Sequence, residues 1–244
     1  MELFPPLLRA AWGRRWFERG TLSMYFLNAT TDREAVRAHL RVPPEGAADA
    51  QVDAWVLRED GMQVAQGTAS VGEPGVPTAL LARPLERFEP GELRILASVQ
   101  KGHRFEPVTV RCAPEEQERR LAVTTEPMDW YRGEGSPWGG AAGDDRAARA
   151  DALREERGRR WRSGFGAVGL FGAIEIRNVN GPALVGEEYT CTGEVIAVGQ
   201  SPKTEYLWFE TGLDDAAGKR VAEMRMLLRF MKASSSLYPE LQQG

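Results

Sequence analysis

The 244-residue chain is poor in the residues that make metal centres and staples: it has two cysteines, Cys112 and Cys191, and two histidines, His39 and His103. With no CxxC spacing and so few imidazoles there is too little inventory for a Cys/His zinc site or a disulfide framework, so both cysteines are expected as free thiols in a reducing, cytoplasmic setting. No metal or cofactor is called for. Long apolar runs are missing too. None approaches the ~20 residues of a membrane span, and Met1 to Ala11 has no basic stretch ahead of its apolar part, which argues against a signal peptide and a membrane partner. Nor is there an excess of positive charge. Lys plus Arg number 31 against 35 Asp plus Glu, a net charge of -4, which makes the chain a poor partner for nucleic acid, since that binding rests on neutralising phosphates. What remains, at 42% hydrophobic and 27% charged residues, is an ordinary globular composition long enough for two small fused domains.

An internal repeat organises the chain. Gly13-Arg14-Arg15-Trp16 recurs letter for letter as Gly158-Arg159-Arg160-Trp161, and similar landmarks follow each copy: Asn28 with Asn178, Glu34 with Glu188, Trp55 with Trp208, and Ala65, in a Val-Ala-Gln step, with Ala222, in a Val-Ala-Glu step. In the first copy Phe4, Leu7, Leu8, Ala11, Trp12 and Trp16 follow helical spacing and Pro5-Pro6 suit a first turn, which predicts a buried helix over 4–17. Strands follow near 20–28, 34–42, 51–58 and 62–71, with turns at Thr31-Asp32 and Asp60-Gly61. The second copy predicts a helix over 144–162 and strands near 169–177, 187–198, 203–211 and 219–231, with turns at Asn180-Gly181-Pro182 and from Asp214 to Gly218. Alternation places Tyr189, Cys191, Val195 and Ala197 on one strand face, and Ala222, Met224, Met226, Leu228 and Phe230 on another. Between the copies, 73–143 is rich in Gly and Pro. It predicts strands near 92–99 and 105–112, a charged surface stretch over 114–120, and a division near residue 115 into units 1–115 and 116–244.

The fold class is therefore α+β, an antiparallel sheet wrapped on a helix, twice. The run Trp16-Phe17-Glu18-Arg19-Gly20-Thr21-Leu22-Ser23, the turn Asn180-Gly181-Pro182 leading to Val185-Gly186-Glu187-Glu188-Tyr189, and the last strand together resemble the MaoC-like acyl dehydratase group, a double hotdog architecture, over about 4–72 and 165–232. The resemblance implies an acyl thioester of coenzyme A or of a carrier as partner, and dehydratase or hydratase chemistry as the activity. A binding or assembly subunit without chemistry, or a thioesterase, are the alternatives. Two departures stand out. The first unit begins at its helix, so its leading strand is absent or borrowed from residues 73–125. The 144–162 helix carries i, i+4 charge pairs such as Asp145 with Arg149, which suit a solvated helix, so that the second sheet either holds it by a thin Ala148, Ala152 and Leu153 stripe or encloses something else.

Active members of the group carry Asp and His in a Gly-Asp-x-Asn-Pro-x-His motif at the start of the central helix. This chain keeps only the Gly143-Asp144 step. Asp144, with Asp145 next to it, is the candidate acid or base, against the local reading of a helix cap. Trp138-Gly139-Gly140, just ahead, can offer free N–H groups to a thioester oxygen, or be only a turn. Arg159 and Arg160, in the cluster Arg154, Arg157 and Arg162, can meet phosphates, or form a salt-bridged face with Glu155 and Glu156. His39 shares a strand face with Arg37 and Arg41 and reads as solvated; His103 reads as a loop residue. Glu205 reads as a wet-face or edge carboxylate. Met224, Met226, Trp208 and Phe230 are core by default and acyl-tunnel lining otherwise. A first unit lacking a strand leaves apolar surface that a homodimer or a partner hotdog chain would cover.

Overall fold

The computed structural model describes residues 3–85, 91–143 and 166–241. Nine strands form one antiparallel sheet: β1 (Gly20–Phe26), β2 (Val36–Leu40), β3 (Ala50–Arg58), β4 (Gln63–Val71), β5 (Arg104–Arg111), β6 (Gly169–Asn178), β7 (Glu188–Gln200), β8 (Thr204–Asp214) and β9 (Arg220–Met231). Their order across the sheet is β2-β3-β4-β1-β6-β9-β8-β7-β5. Outward from the centre each half thus repeats one sequence of strands: β1, β4, β3, β2 on one side and β6, β9, β8, β7 on the other.

The halves also repeat a hydrogen-bond pattern. Past the end of β1, the Leu27 and Asn28 N–H groups both donate to the Val64 carbonyl, and the Asn28 amide donates to the Gln63 carbonyl at 2.8 Å. Past the end of β6, Val179 and Asn180 do the same to Val221, and the Asn180 amide donates to the Arg220 carbonyl at 2.8 Å. This equivalence keeps Ala65 with Ala222 but pairs Asn28 with Asn180 rather than Asn178. It also corrects the tryptophan pairing, because Trp55 lies opposite Gln66 and the matching position in the second half is Gly212, not Trp208. Across the central pair, Thr21 meets Arg177, Tyr25 meets Ala173, and Ser23 meets Glu175 on the local twofold.

The N-terminal helix is broken in two, α1 (Pro5–Trp12) and α2 (Arg14–Arg19), at Gly13, whose φ of 54° is open to glycine and costly for other residues. Phe4, Leu8, Trp16 and Phe17 pack under Leu22, Met24, Ala54, Val56, Ala65 and Ala69, each large side chain contributing roughly 1.5–3 kcal/mol by burial. We call this the inner face. Register carries it across the sheet to Ile174, Met226, Phe209 and Val195.

On the inner face of the second half lie Ile95, Leu96, Val99 and Tyr238, so what the second sheet encloses includes the segment before β5 and the C-terminal tail. The predicted strand over 92–99 is absent. Residues 94–98 are turns, because the N–H groups of Arg94, Ile95 and Leu96 are taken by the Glu205 carboxylate at 2.8, 3.0 and 2.7 Å instead of by a strand ladder. The strand predicted at 105–112 exists as β5, and it pairs with β7 at the far edge. Among the described residues, 73–125 therefore lends no strand to the first half. The charged stretch 114–120 is a helix, α3 (Pro114–Leu121), with Pro114 and acidic residues in its first turn, basic ones in its last, and Gln117 and Leu121 buried.

One bulge shifts the alternation read from sequence. Between Val195 and Ala197 the register of β7 slips, so Val195 faces inward while Ala197 joins Leu80, Ala173, Tyr206, Trp208 and Leu227 on the outer face. For the same reason of face, Met224, Met226 and Phe230 share the inner core but Trp208 does not, and the four cannot line one acyl tunnel.

Candidate functional site

The segment that carries the candidate residues comes to the central seam of the sheet. After α3 a short helix, α4 (Asp129–Arg132), brings Trp130 and Tyr131 onto Phe17 at 5.1 and 5.7 Å between ring centroids. Trp138 completes the cluster, 5.5 Å from Phe17 and edge-on to Trp130 at 5.3 Å, and its indole N–H donates to Glu18 at 3.2 Å. Arg9 closes the cluster, stacked 4.4 Å over Trp130 and paired with Asp129 at 2.8 Å.

From there the chain is pinned step by step. The Ala142 N–H donates to the Trp130 carbonyl at 2.9 Å, Gly143 to Ala183 at 2.7 Å, and Val185 back to Ala141 at 3.0 Å. Gln117, buried in α3, donates to the carbonyls of Tyr131 and Ala142 at 3.0 and 2.9 Å. A side chain at Gly143 would meet Cys112 Cβ at 3.2 Å and the Ala183 carbonyl oxygen at 3.3 Å, so the residue before Asp144 is held against the turn between β6 and β7. The same turn reaches α2: the Asn178 amide donates to the Trp16 carbonyl and the Gly181 N–H to the Glu18 carbonyl, both at 3.1 Å. Sequence reading missed Gln117 and Glu18; a lone Gln in a charged run carries no signal of the backbone it will hold.

Of the candidates, Trp138 is a packing and hydrogen-bonding element whose indole N–H is committed to Glu18. Gly139, at φ 76°, is exposed and Gly140 half-buried. Asp144, Asp145, Arg159 and Arg160, with the 144–162 helix and its other arginines, lie outside the described residues.

The histidines are elsewhere. His39 sits on β2, stacked on Trp55 at 5.3 Å with the planes 2° apart. His103 is a turn residue ahead of β5, its carbonyl accepting from Val195 at 2.9 Å. β2 and β5 are the two edges of the nine-stranded sheet, so the two histidines stand eight strand spacings apart along it. His103 is also separated from Cys112, the neighbour of Gly143, by the length of β5, roughly 25 Å. His39 stacks on Trp55 on the outer face, whereas Ala142, next to Gly143, packs in the inner-face cluster with Ala54 and Val56.

Glu205 is fully buried rather than on a wet face. Besides its three backbone donors it accepts from the Tyr238 hydroxyl. Burial and the adjacent carboxylate push the Tyr238 phenol up to about 12. Arg94 stacks on the same ring at 4.6 Å and Lys232 at 5.2 Å. Four donors converge on this carboxylate, which fastens the tail and the 94–96 segment to β8. Glu210 is paired with Arg225 at 2.7 Å on the outer face. Among the described residues no cluster of His, Cys, Asp or Glu is arranged to hold a metal ion, and no helix is long and apolar enough to cross a membrane.

No family model matches the chain, and no curated protein matches it in sequence. Solved structures do match. A protein from Chloroflexus aurantiacus J-10-fl assigned as a MaoC domain dehydratase is 13% identical with a TM-score of 0.54, over 94% of this chain and 80% of that one. The tesB protein MAP1729c of Mycobacterium avium subs paratuberculosis is 13% identical with a TM-score of 0.46, over 92% and 83%. A protein assigned as a thioesterase from Novosphingobium aromaticivorans is 16% identical with a TM-score of 0.46, over 91% and 82%. The first likeness shows the fold: the chain has a hotdog fold built on one large antiparallel sheet.

Proposed function

We infer that the chain is two hotdog units fused in tandem, divided near residue 115, and that it binds an acyl thioester of coenzyme A or of a carrier at the central seam without hydrating it. The fusion is supported by the shared strand order and the matching Asn28 and Asn180 hydrogen bonds. The observation that carries the choice of activity is the placing of both histidines away from Gly143: hydration of an enoyl thioester needs one group to activate water for attack at C3 and another to protonate C2, and His103 lies the length of β5 away while His39 lies on the opposite face of the sheet from Ala142. In this reading the Gly139 and Gly140 N–H groups receive the thioester oxygen, Asp144 opens the second helix as its cap, and Arg159 and Arg160 meet the phosphates of the carrier arm. A soluble hexanoyl-coenzyme A should bind saturably in a calorimetric titration, and Arg159→Ala with Arg160→Ala should weaken it; no heat of binding with any acyl thioester would overturn the reading. A dehydratase relying on Asp144 alone is the second reading, favoured by the rigid presentation of Gly143.

A further inference from the structure

At one level along the strands the outer face of the sheet is covered over the second half and open over the first. At one register level the strands place His39, Trp55, Gln66, Tyr25, Ala173, Leu227, Trp208 and Ala197 side by side. Leu80 and Leu85 cover the last four of these. Trp55 and Gln66 line an open cleft of about 620 Å³ together with Arg41, Asp53 and, from the covering segment, Arg83, and Tyr25 stands between this cleft and the covered residues.

Two cations meet at Tyr25. The Arg83 guanidinium lies 4.1 Å from the ring centroid and that of Arg229 5.6 Å, with Arg229 also donating to the Tyr25 hydroxyl. Neither has a carboxylate within ion-pair distance among the described residues, although most arginines on this face do: Arg41 pairs with Asp53 at 3.2 Å, Arg177 with Glu73 at 2.9 Å, Arg220 with Asp214 at 2.6 Å. Two guanidiniums about one ring repel each other, and a chain with more acidic than basic residues had carboxylates with which to relieve it. The β6 backbone makes room for the arrangement. A Cβ at Gly172, in the bulge between Phe171 and Ala173, would stand 2.9 Å from Arg229 Nε. Two strand spacings from Tyr25, about 10 Å, stands Trp55, half-buried and backed by the His39 ring, with the Gln66 carboxamide between them.

We propose that this open half of the outer face binds a nucleoside phosphate, with Arg83 and Arg229 taking the phosphoryl group and Trp55 the base. Planar guanidiniums bind phosphate by paired N–H donors, and an aromatic face at one nucleoside's reach takes a base by stacking. Tyr25 lies five residues up β1 from Gly20, about 16 Å from the strand end at which α2 meets the seam, and on the opposite face. The sheet itself stands between this face and the inner-face cluster that holds Ala142, so we commit to a free nucleotide as the ligand, and the proposal stands apart from the acyl-binding reading.

Calorimetry of the full chain with AMP, ATP, adenosine, inorganic pyrophosphate and coenzyme A tests it. AMP or ATP should bind and adenosine should not. Arg83→Ala and Arg229→Gln should each weaken binding by 10-fold or more, and Trp55→Leu should weaken AMP while sparing pyrophosphate. Arg104→Ala, at the other edge of the sheet, should change nothing. Arg83 belongs to the surface turn and its side chain stacks on the Tyr25 ring, so its variant keeps the test alive if Arg229→Gln unfolds. Absence of nucleotide binding, binding of coenzyme A alone, or equal binding by the Arg83 variant and the parent would overturn the proposal, whereas acyl-thioester binding would be untouched by any of these.

Discussion

Replacing Glu205 by Gln should cost the protein about 3 kcal/mol. Of the four donors on this buried carboxylate, Arg94 and Ile95 N–H and the Tyr238 hydroxyl converge on Oε1, and Leu96 N–H reaches Oε2 at 2.7 Å. Glutamine with its oxygen at the first position keeps three bonds but turns them neutral, and it presents an NH2 group to the Leu96 N–H. An unsatisfied buried donor costs about 1–3 kcal/mol, and hydrogen bonds to a charged group are worth about 1.5–3 against about 1 for neutral ones, so a total near 3 follows after part of the strain relaxes. The loss should be local first, because Glu205 ties 94–96 and the tail at Tyr238 to β8. Urea denaturation of parent and variant gives the total, and amide exchange at Arg94, Ile95 and Leu96 gives the place. Tyr238→Phe should cost about 1–2 kcal/mol, with the two changes coupled by about 1 or more in a double-mutant cycle. A cost for Glu205→Gln below about 1 kcal/mol, with the three amides still protected, would refute the reasoning.

Because the folded-state Tyr238 phenol titrates near 12 rather than 10, the folded chain holds that proton longer than the unfolded one; its contribution is complete below pH ~10 and is lost as pH rises towards ~12, and Tyr238→Phe should remove that part of the alkaline slope in a pH series of unfolding curves. Leu8→Ala, at a fully buried position of α1, should destabilise by about 2–5 kcal/mol in the same assay, while a cost under about 1 would mean that the helix is not the core of its half. Asp144→Ala should lower the melting temperature with little change in acyl-thioester binding if Asp144 is a helix cap, while Asp144→Asn, which keeps a capping side chain, should change little; a fall in turnover of about 10²-fold or more for Asp144→Asn with unchanged melting would make it a general acid or base.

Strand positions were legible in the sequence to within a few residues because each half is a meander whose covered face alternates, and period two survives without knowledge of the partner. The errors have local physical causes. The bulge at Ile196 reverses the facing of Ala197, and a bulge adds one residue that no alternation count reveals. The apolar run Ile95, Leu96 and Val99 looks like a strand, yet the Ile95 and Leu96 N–H groups are claimed by a carboxylate more than a hundred residues later in the chain and that of Val99 turns back to the Leu96 carbonyl. Landmark letters misled where insertions intervene, as with Trp55 and Trp208. Of the site, the approach to Asp144 was visible in Trp138-Gly139-Gly140, but not that Trp138 is committed to Glu18 or that Gln117 holds Ala142. Those are long-range hydrogen bonds with no spacing rule behind them.

The central claim, binding of an acyl thioester without hydration, is tested most directly by mixing the purified chain with crotonyl-coenzyme A and following the enoyl absorbance while the same mixture is titrated calorimetrically. The account predicts saturable binding and an absorbance that stays constant over many equivalents of substrate. Loss of the enoyl absorbance at a rate proportional to protein, abolished by Asp144→Asn, would contradict it.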